Sequence, residues 1–378
     1  MQLLEATGKA ILARAGLQIP DAQRLEPQQR AAELRPALRE GDIWVKAQVP
    51  LTGRAALGGV RRVCGAHAID AAIAQMERDR VGGLQPLGYL IEAHVASQAE
   101  LFIGIVFDQS ERLPALVVSA AGGGGVEQSE RVGRVAWDPA YPLYPYKIRD
   151  ACELAGVSPD ALLPIAPVLA DVFRAEDAML LEVNPLLVRA DGSCIVGDVH
   201  LVVDDNAEFR HSERDDDIAR LATLDDGMLV RLKYGFDYTV LDPYGQIGFI
   251  TTGAGATMML LDAFAEKGAS VFNFADVRTG GLRGDPARLL AIADRLVQAP
   301  RVRSVLVNVF GGVTDVAEVA QLLIDDVLPR LIPRMTVTIR LVGRGGKQAR
   351  ALLNQSLFPV NLAVGLDEAI EMVLAGCR

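Results

Sequence analysis

The chain has 378 residues, half of them apolar, with 38 Lys and Arg against 48 Asp and Glu for a net charge of −10. That is enough for two or three domains with real cores, and no apolar run reaches the roughly 18 residues of a membrane span. The acidic balance argues against nucleic acid as a partner, and Cys64, Cys152, Cys194 and Cys377 are too isolated for a metal site or disulfide framework.

The start of the chain carries Glu5 and lacks the basic-then-apolar pattern of a secretion signal, so a cytoplasmic location is expected. Residues 1–225 mix short strands and helices without a βαβ rhythm. Apolar, β-branched runs predict strands at Ile43–Val49, Gly88–Val95, Leu101–Phe107 and Ala115–Ser119. Lys46 lies among the apolar residues of the first. A nucleotide phosphate would account for it, and so would snorkelling to water from a strand edge. Arg54, in the following glycine loop, is a second cation of this kind. After a helical stretch, Leu180–Val188 and Ser193–Val203 are expected to pair as a hairpin around Asp191-Gly192. Alternation places Glu182 and Asn184 on one face, with Asp198 returning beside them. Two carboxylates and an amide oxygen make a hard-oxygen site suited to Mg²⁺. A solvated hairpin face is the alternative, although these polar residues interrupt a strongly apolar run.

The charged segment His211–Asp217 leads into a linker helix expected to end near Tyr234-Gly235. From Ile247 the rhythm changes to strand and helix in turn. Strands at Ile247–Thr252, Ser270–Phe274, Arg303–Val309, Thr336–Leu341 and Val360–Ala363 predict a parallel, doubly wound sheet, flavodoxin-like by strand count. After the third, Gly311-Gly312 breaks the run and helical spacing resumes at Val316, Val319, Ala320, Leu323 and Ile324. A strand, a glycine turn and a helix N-terminus point backbone N–H groups and a positive dipole end at one spot, with Thr314 or Asp315 available as cap. Thr251–Ala256 repeats the arrangement after the first strand.

These segments carry a family resemblance. Glu182-Val183-Asn184-Pro185-Leu186, Asp204–Arg210 and Asn308-Val309-Phe310-Gly311-Gly312 resemble the β subunit of succinyl-CoA synthetase. So do Leu3–Lys9 through Ala15-Gly16-Leu17, Trp44–Val49, Gly53-Arg54, Gly58-Gly59-Val60 and Val135–Pro139, in order and nearly end to end. The resemblance implies an ATP-grasp nucleotide-binding domain over 1–225 and a flavodoxin-like CoA-ligase domain over 226–378. It implies the β subunit of a nucleoside-diphosphate-forming acid–CoA ligase, with Mg²⁺, ATP or GTP, and a small carboxylic acid as substrate. Phosphate would pass to the acid through a histidine on a separate α subunit, which also holds the CoA. By the same resemblance Lys46, Gly53 and Arg54 contact phosphate, and Tyr89–Ile91, followed by Glu92, is a hinge strand whose backbone reads the adenine edge. Glu100 would bind ribose hydroxyls, Asn184 and Asp198 the metal, and Glu182 would orient the histidine or a metal-bound water. Thr252 and the turn of Gly311, Gly312, Val313 and Thr314 would hold the acid end. The chain's own His67, His94, His200 and His211 do not lie in glycine-flanked turns, which agrees with a shuttling histidine on another polypeptide.

Several positions depart from the family. The loop Thr52-Gly53-Arg54-Ala55-Ala56-Leu57-Gly58-Gly59 lacks a lysine and two glycines, and Pro50 stands where a histidine is common. Gly122–Glu127 is richer in glycine than usual, as for a lid or a plain hairpin loop. Thr252 replaces an asparagine, and Arg278, Arg283 and Arg344 enter loops at the C-terminal ends of strands. Guanidinium groups there are natural partners of carboxylate, sulfonate or phosphate, pointing to an acid more highly charged than succinate. Surface solvation is the alternative for each. Two other readings stand beside the ligase: a different ATP-grasp carboxylate ligase, and a non-catalytic or regulatory β-like binding subunit.

Overall fold

A computed structural model describes residues 1–123, 131–211, 214–224, 226–277, 279–282, 284–312 and 314–377. The chain divides into two units, Met1–Leu224 and Asp225–Arg378.

The first unit holds two antiparallel sheets. Strands β1 (Ala22–Leu25), β2 (Asp42–Ala47), β3 (Val60–Cys64) and β4 (Tyr89–Ala93) pair in the order β1-β4-β2-β3. Their apolar face is covered by the helix Ala66–Asp79 through Ile69, Ala72, Ile73 and Met76, which recur at helical spacing. The second sheet contains β5 (Ala99–Asp108), β6 (Leu113–Ser119), β7 (Val132–Ala136), β8 (Ala178–Val188), β9 (Cys194–Val196) and β10 (Val199–Val203). Its order is β10-β8-β5-β6-β7, with β9 on β8. Helices Pro145–Ala155 and Ala166–Ala175 supply its core partners, among them Ile148, Ala151, Leu169 and Phe173. The first helix, Glu5–Arg14, lies close against β10, where a Cβ on Gly8 would come within 2.8 Å of Val199.

Two expectations change here. The predicted strand Ser193–Val203 is broken at Gly197-Asp198, where the Gly197 N–H turns to the Pro185 carbonyl at 2.9 Å. Strand β4 is not an open hinge. It is central, paired residue by residue with β1 on one edge and β2 on the other, so Tyr89–Ile91 have no backbone edge to offer a base.

The second unit adds β11 (Asp237–Val240), β12 (Ile247–Thr251), β13 (Asn273–Asp276), β14 (Ser304–Gly311), β15 (Thr336–Gly343) and β16 (Asn361–Leu362). A parallel ladder runs β12-β14-β15-β16. The expected fifth strand, Ser270–Phe274, is shifted, and β13 pairs antiparallel with β11 instead. The reason is Asn273. Its fully buried amide donates to the Phe249 carbonyl and accepts from the Phe249 N–H, both at 2.9 Å. A side chain thus fills the ladder beside β12, while Phe272 N–H to Ile247 O (2.8 Å) and Val277 N–H to Thr251 O (3.1 Å) hold its two ends. Apolar faces on both sides of the sheet are covered by helices, including Ala287–Gln298, Gly346–Gln355 and Leu366–Gly376. Among the described residues no helix is long and apolar enough to cross a membrane.

Candidate functional site

A buried cluster of six charges lies in the first unit. Glu5, in the first turn of its helix, places Oε1 2.9 Å from Lys9 Nζ and 2.8 Å from Lys46 Nζ, and Oε2 2.6 Å from Arg54 Nη2. Glu92 pairs with Lys9 and, at 2.7 Å, with Lys46. Both ammonium groups also donate to the Gly197 carbonyl, at 2.8 and 2.7 Å. Arg54 donates from Nη1 to the Ala47 carbonyl at 3.1 Å and from Nη2 to both Asp198 oxygens at 3.0 Å. Three cations meet three carboxylates.

The fold explains the arrangement. Lys46 and Glu92 come from adjacent strands β2 and β4 and point to one side of that sheet. The loop after β2 folds back, with Gly59 N–H on the Arg54 carbonyl at 2.8 Å, so Arg54 is buried while Gly53, Ala55 and Ala56 stay exposed. The break at Gly197-Asp198 leaves the Gly197 carbonyl and the Asp198 carboxylate free of the sheet ladder.

For Glu5, Lys46, Arg54 and Asp198 burial opposes the charged form, and the balance against their neighbours decides the direction of each shift. Burial would raise the Glu5 pKa, but Lys46, Lys9 and Arg54 hold it well below the usual carboxylate range. Burial would lower Lys46 and Arg54, but Glu5 leads the carboxylates that push both upward. Asp198 goes the other way: burial and then Glu5 raise it, more than Arg54, Lys46 and Lys9 lower it.

The expected metal ligands are adjacent in backbone and separate in side chain. Asn184 N–H donates to the Asp198 carbonyl at 3.1 Å. The Asn184 amide clasps Gly123, accepting its N–H and donating to its carbonyl at 3.1 Å. Asp198 faces Arg54 and accepts the Val199 N–H at 2.7 Å. Glu182 shares the Asn184 face of β8, but its Oε2 lies 3.2 Å from His200 Nδ1. The three polar side chains therefore face different partners. As a donor set, one carboxylate and one amide oxygen remain the kind Mg²⁺ takes when phosphates complete its shell. Glu100 is exposed at the start of β5, and its carbonyl accepts the Gly122 N–H at 3.0 Å. Residues 124–130, most of the glycine run read as a lid, lie outside the described residues.

Glu92 corrects one expectation and Glu5 with Lys9 add to another. Glu92 is a buried counter-ion, not the end of a base-reading hinge. Glu5 and Lys9 had only the signal of an i, i+4 pair, which by default marks a solvated helix face. Their burial follows from the sheet lying over them.

In the second unit β14 continues through Gly311, which pairs with Gly343 on β15, and Asp315 caps the helix Val316–Leu322 through the Ala317 N–H at 2.9 Å. Gly312 is exposed and Thr314 buried, while Val313 lies outside the described residues. The Arg344 backbone is tied to the start of that helix, its carbonyl accepting the Val316 N–H at 2.9 Å, and its exposed guanidinium reaches 3.6 Å from Asp315. Arg278 and Arg283 lie outside the described residues. The second expected anion cradle is partly filled. Asp276 accepts the Gly253 N–H at 2.8 Å, and the Thr252 hydroxyl accepts the Phe310 N–H at 3.0 Å.

Two antiparallel sheets around buried cations, followed by a doubly wound parallel sheet, define an ATP-grasp α+β unit joined to a flavodoxin-like one. Residues 2–188 match the ATP-grasp domain family. The β subunit of ADP-forming succinate–CoA ligase from Halorubrum lacusprofundi is 31% identical over 389 residues, covering 98% of this chain and 97% of that one. The same subunit from Methylobacillus flagellatus is 32% identical over 395 residues, covering 100% of both. This chain belongs to the succinate–CoA ligase β-subunit family. The fold is also that of ATP citrate lyase from Methanothrix soehngenii, solved with citrate and coenzyme A, at a TM-score of 0.72 and 16% identity over 99% of this chain and 100% of that one.

Proposed function

We propose that this chain is the nucleotide- and acid-binding β subunit of an acid–CoA ligase that forms a nucleoside diphosphate. It works with a separate α subunit that carries the CoA site and a phosphate-shuttling histidine. The observation that carries this reading is the gathering of Lys9, Lys46 and Arg54 in the buried charge cluster of the ATP-grasp unit. Burying three cations costs several kcal/mol each before pairing, a cost that a phosphate-binding task explains. In this reading the Met1–Leu224 unit binds ATP or GTP, with Lys46, Gly53 and Arg54 at the phosphates and Glu100 at the ribose. Asn184 and Asp198 hold Mg²⁺, which when bound neutralises phosphate oxygens during transfer. Glu182, beside His200, orients the incoming histidine. In the Asp225–Arg378 unit the Gly311-Gly312 turn, with Val313, Thr314 and Thr252, receives the acid end.

Calorimetry of the full chain with ATP and Mg²⁺ tests the first half. Metal-dependent binding is expected, and Asp198→Ala should weaken it about tenfold or more, the scale of losing a charged ligand. Absence of binding both alone and with the α subunit would overturn the reading.

Arg344, a departure from the family whose carbonyl accepts the Val316 N–H, supports an acid other than succinate. Across dicarboxylates, hydroxydicarboxylates and sulfonated acids, CoA ligation by the αβ enzyme should favour a more highly charged acid. Arg344→Gln should narrow that preference about tenfold, as for loss of one charge-assisted contact. A clear preference for succinate would reject this part. The rival reading, a binding subunit without catalysis, draws on the internal pairing of Lys46 and Arg54 and on Ala55 and Ala56 in the loop. It predicts nucleotide binding without turnover in the αβ complex.

A further inference from the structure

Both lysines of the cluster already have three acceptors each, and Arg54 Nη2 is fully engaged. Lys46 Nζ meets Glu5, Glu92 and the Gly197 carbonyl, which uses all three of its N–H groups. Lys9 meets the same three groups. Arg54 Nη2 is divided between Glu5 and Asp198. A phosphate that takes Arg54 Nη2 therefore displaces a carboxylate, and one that takes a lysine displaces a carboxylate or the Gly197 carbonyl. Glu5 and Glu92 are each 1% exposed and enclosed by protein, whereas the Asp198 side chain is 31% exposed. Of the three, Asp198 alone can swing into water without first opening the cluster.

Building on the nucleotide-site reading, we infer that the Arg54–Asp198 ion pair is an exchange latch that makes metal and nucleotide enter the site together. Phosphate taking Arg54 releases the Asp198 carboxylate, whose backbone is bonded to that of Asn184, for the metal. Metal taking Asp198 releases Arg54 for phosphate. Glu5, 2.6 Å from Nη2, keeps the guanidinium in place through the exchange. Each ligand removes the obstacle to the other, and linkage requires the two effects to be equal.

The test is calorimetry of the full chain with ATP in EDTA and in Mg²⁺, for the native protein and Asp198→Asn, each checked for folding by thermal melting. The native protein should bind ATP weakly in EDTA and five- to 100-fold more tightly with Mg²⁺, roughly the usual range of coupling. Asp198→Asn, with Arg54 unlatched, should bind metal-free ATP more tightly than the native protein and gain little from Mg²⁺. In the reciprocal experiment Arg54→Gln should bind Mg²⁺ alone more tightly than the native protein. If Asp198→Asn binds metal-free ATP no better than native while retaining Mg²⁺-dependent binding, the latch is wrong and the nucleotide reading survives. If neither protein binds ATP under any condition, alone or with the α subunit, both fail.

Discussion

Replacing Glu5 with Gln should destabilise the first unit by about 3–5 kcal/mol at neutral pH, the scale of removing one partner from a buried ion pair. Glu5 contacts Lys9, Lys46 and Arg54 within 2.9 Å, so the neutral amide leaves three buried cations facing two carboxylates. The effect has a definite pH dependence. The folded-state pKa of Glu5 lies well below its ordinary 4.5. Its ionised form therefore adds stability that is complete above about pH 4.5 and is lost as pH falls towards the folded value, by about 1.4 kcal/mol per pH unit. Native protein and Glu5→Gln should differ by a constant amount at pH 6–8 and converge below about pH 4.5. Asp198 does not cancel in full, since Glu5 is one cause of its raised pKa and Glu5→Gln removes that cause, which narrows the gap at neutral pH without changing its direction. Urea unfolding followed across that range measures the difference. A gap that stayed constant down to about pH 3 would mean that Glu5 is not the charge holding the cations.

Gly343→Ala and Gly312→Ala should separate stability from acid binding. Gly343 has φ +136, and a Cβ there would overlap the Gly311 carbonyl oxygen on the neighbouring strand. A strained backbone and a backbone collision together should cost about 3 kcal/mol and push the acid turn out of place. Gly312 has no positive φ, and a Cβ would meet no described atom within 4 Å. Gly312→Ala should therefore melt within about 0.5 kcal/mol of native. If the turn receives the acid, that methyl occupies the approach to the backbone N–H groups and KM for the acid should rise about tenfold or more, with kcat less affected. Thermal melts and steady-state kinetics of the αβ enzyme check both. An unchanged KM in Gly312→Ala would move the acid site elsewhere.

Much of the fold was legible because local pattern and tertiary role agree. The run Ser304–Val309 is mostly apolar and β-branched and becomes the buried part of β14, before the exposed Phe310. Asp315 follows a glycine pair and caps the next helix. Short, polar or edge strands were not legible: β3 reads Val-Arg-Arg-Val-Cys, which local composition does not separate from loop. The position of Ser270–Phe274 was misread because the ladder beside β12 is completed by the side chain of Asn273, an element with no periodic signature.

The candidate site divides in the same way. Lys46, Arg54, Asn184 and Asp198 stood out in the sequence because each interrupts an apolar or glycine-rich run, where its type requires a reason. The sequence by itself also determined the two-part architecture and the capped helix after β14, since hydrophobic period and backbone geometry are local properties. Only the tertiary structure decided the partners. Glu5, Lys9 and Glu92 are ordinary charged residues in sequence and become counter-ions when a helix and two sheets enclose them, because ion pairing depends on distance and dielectric, not on order along the chain.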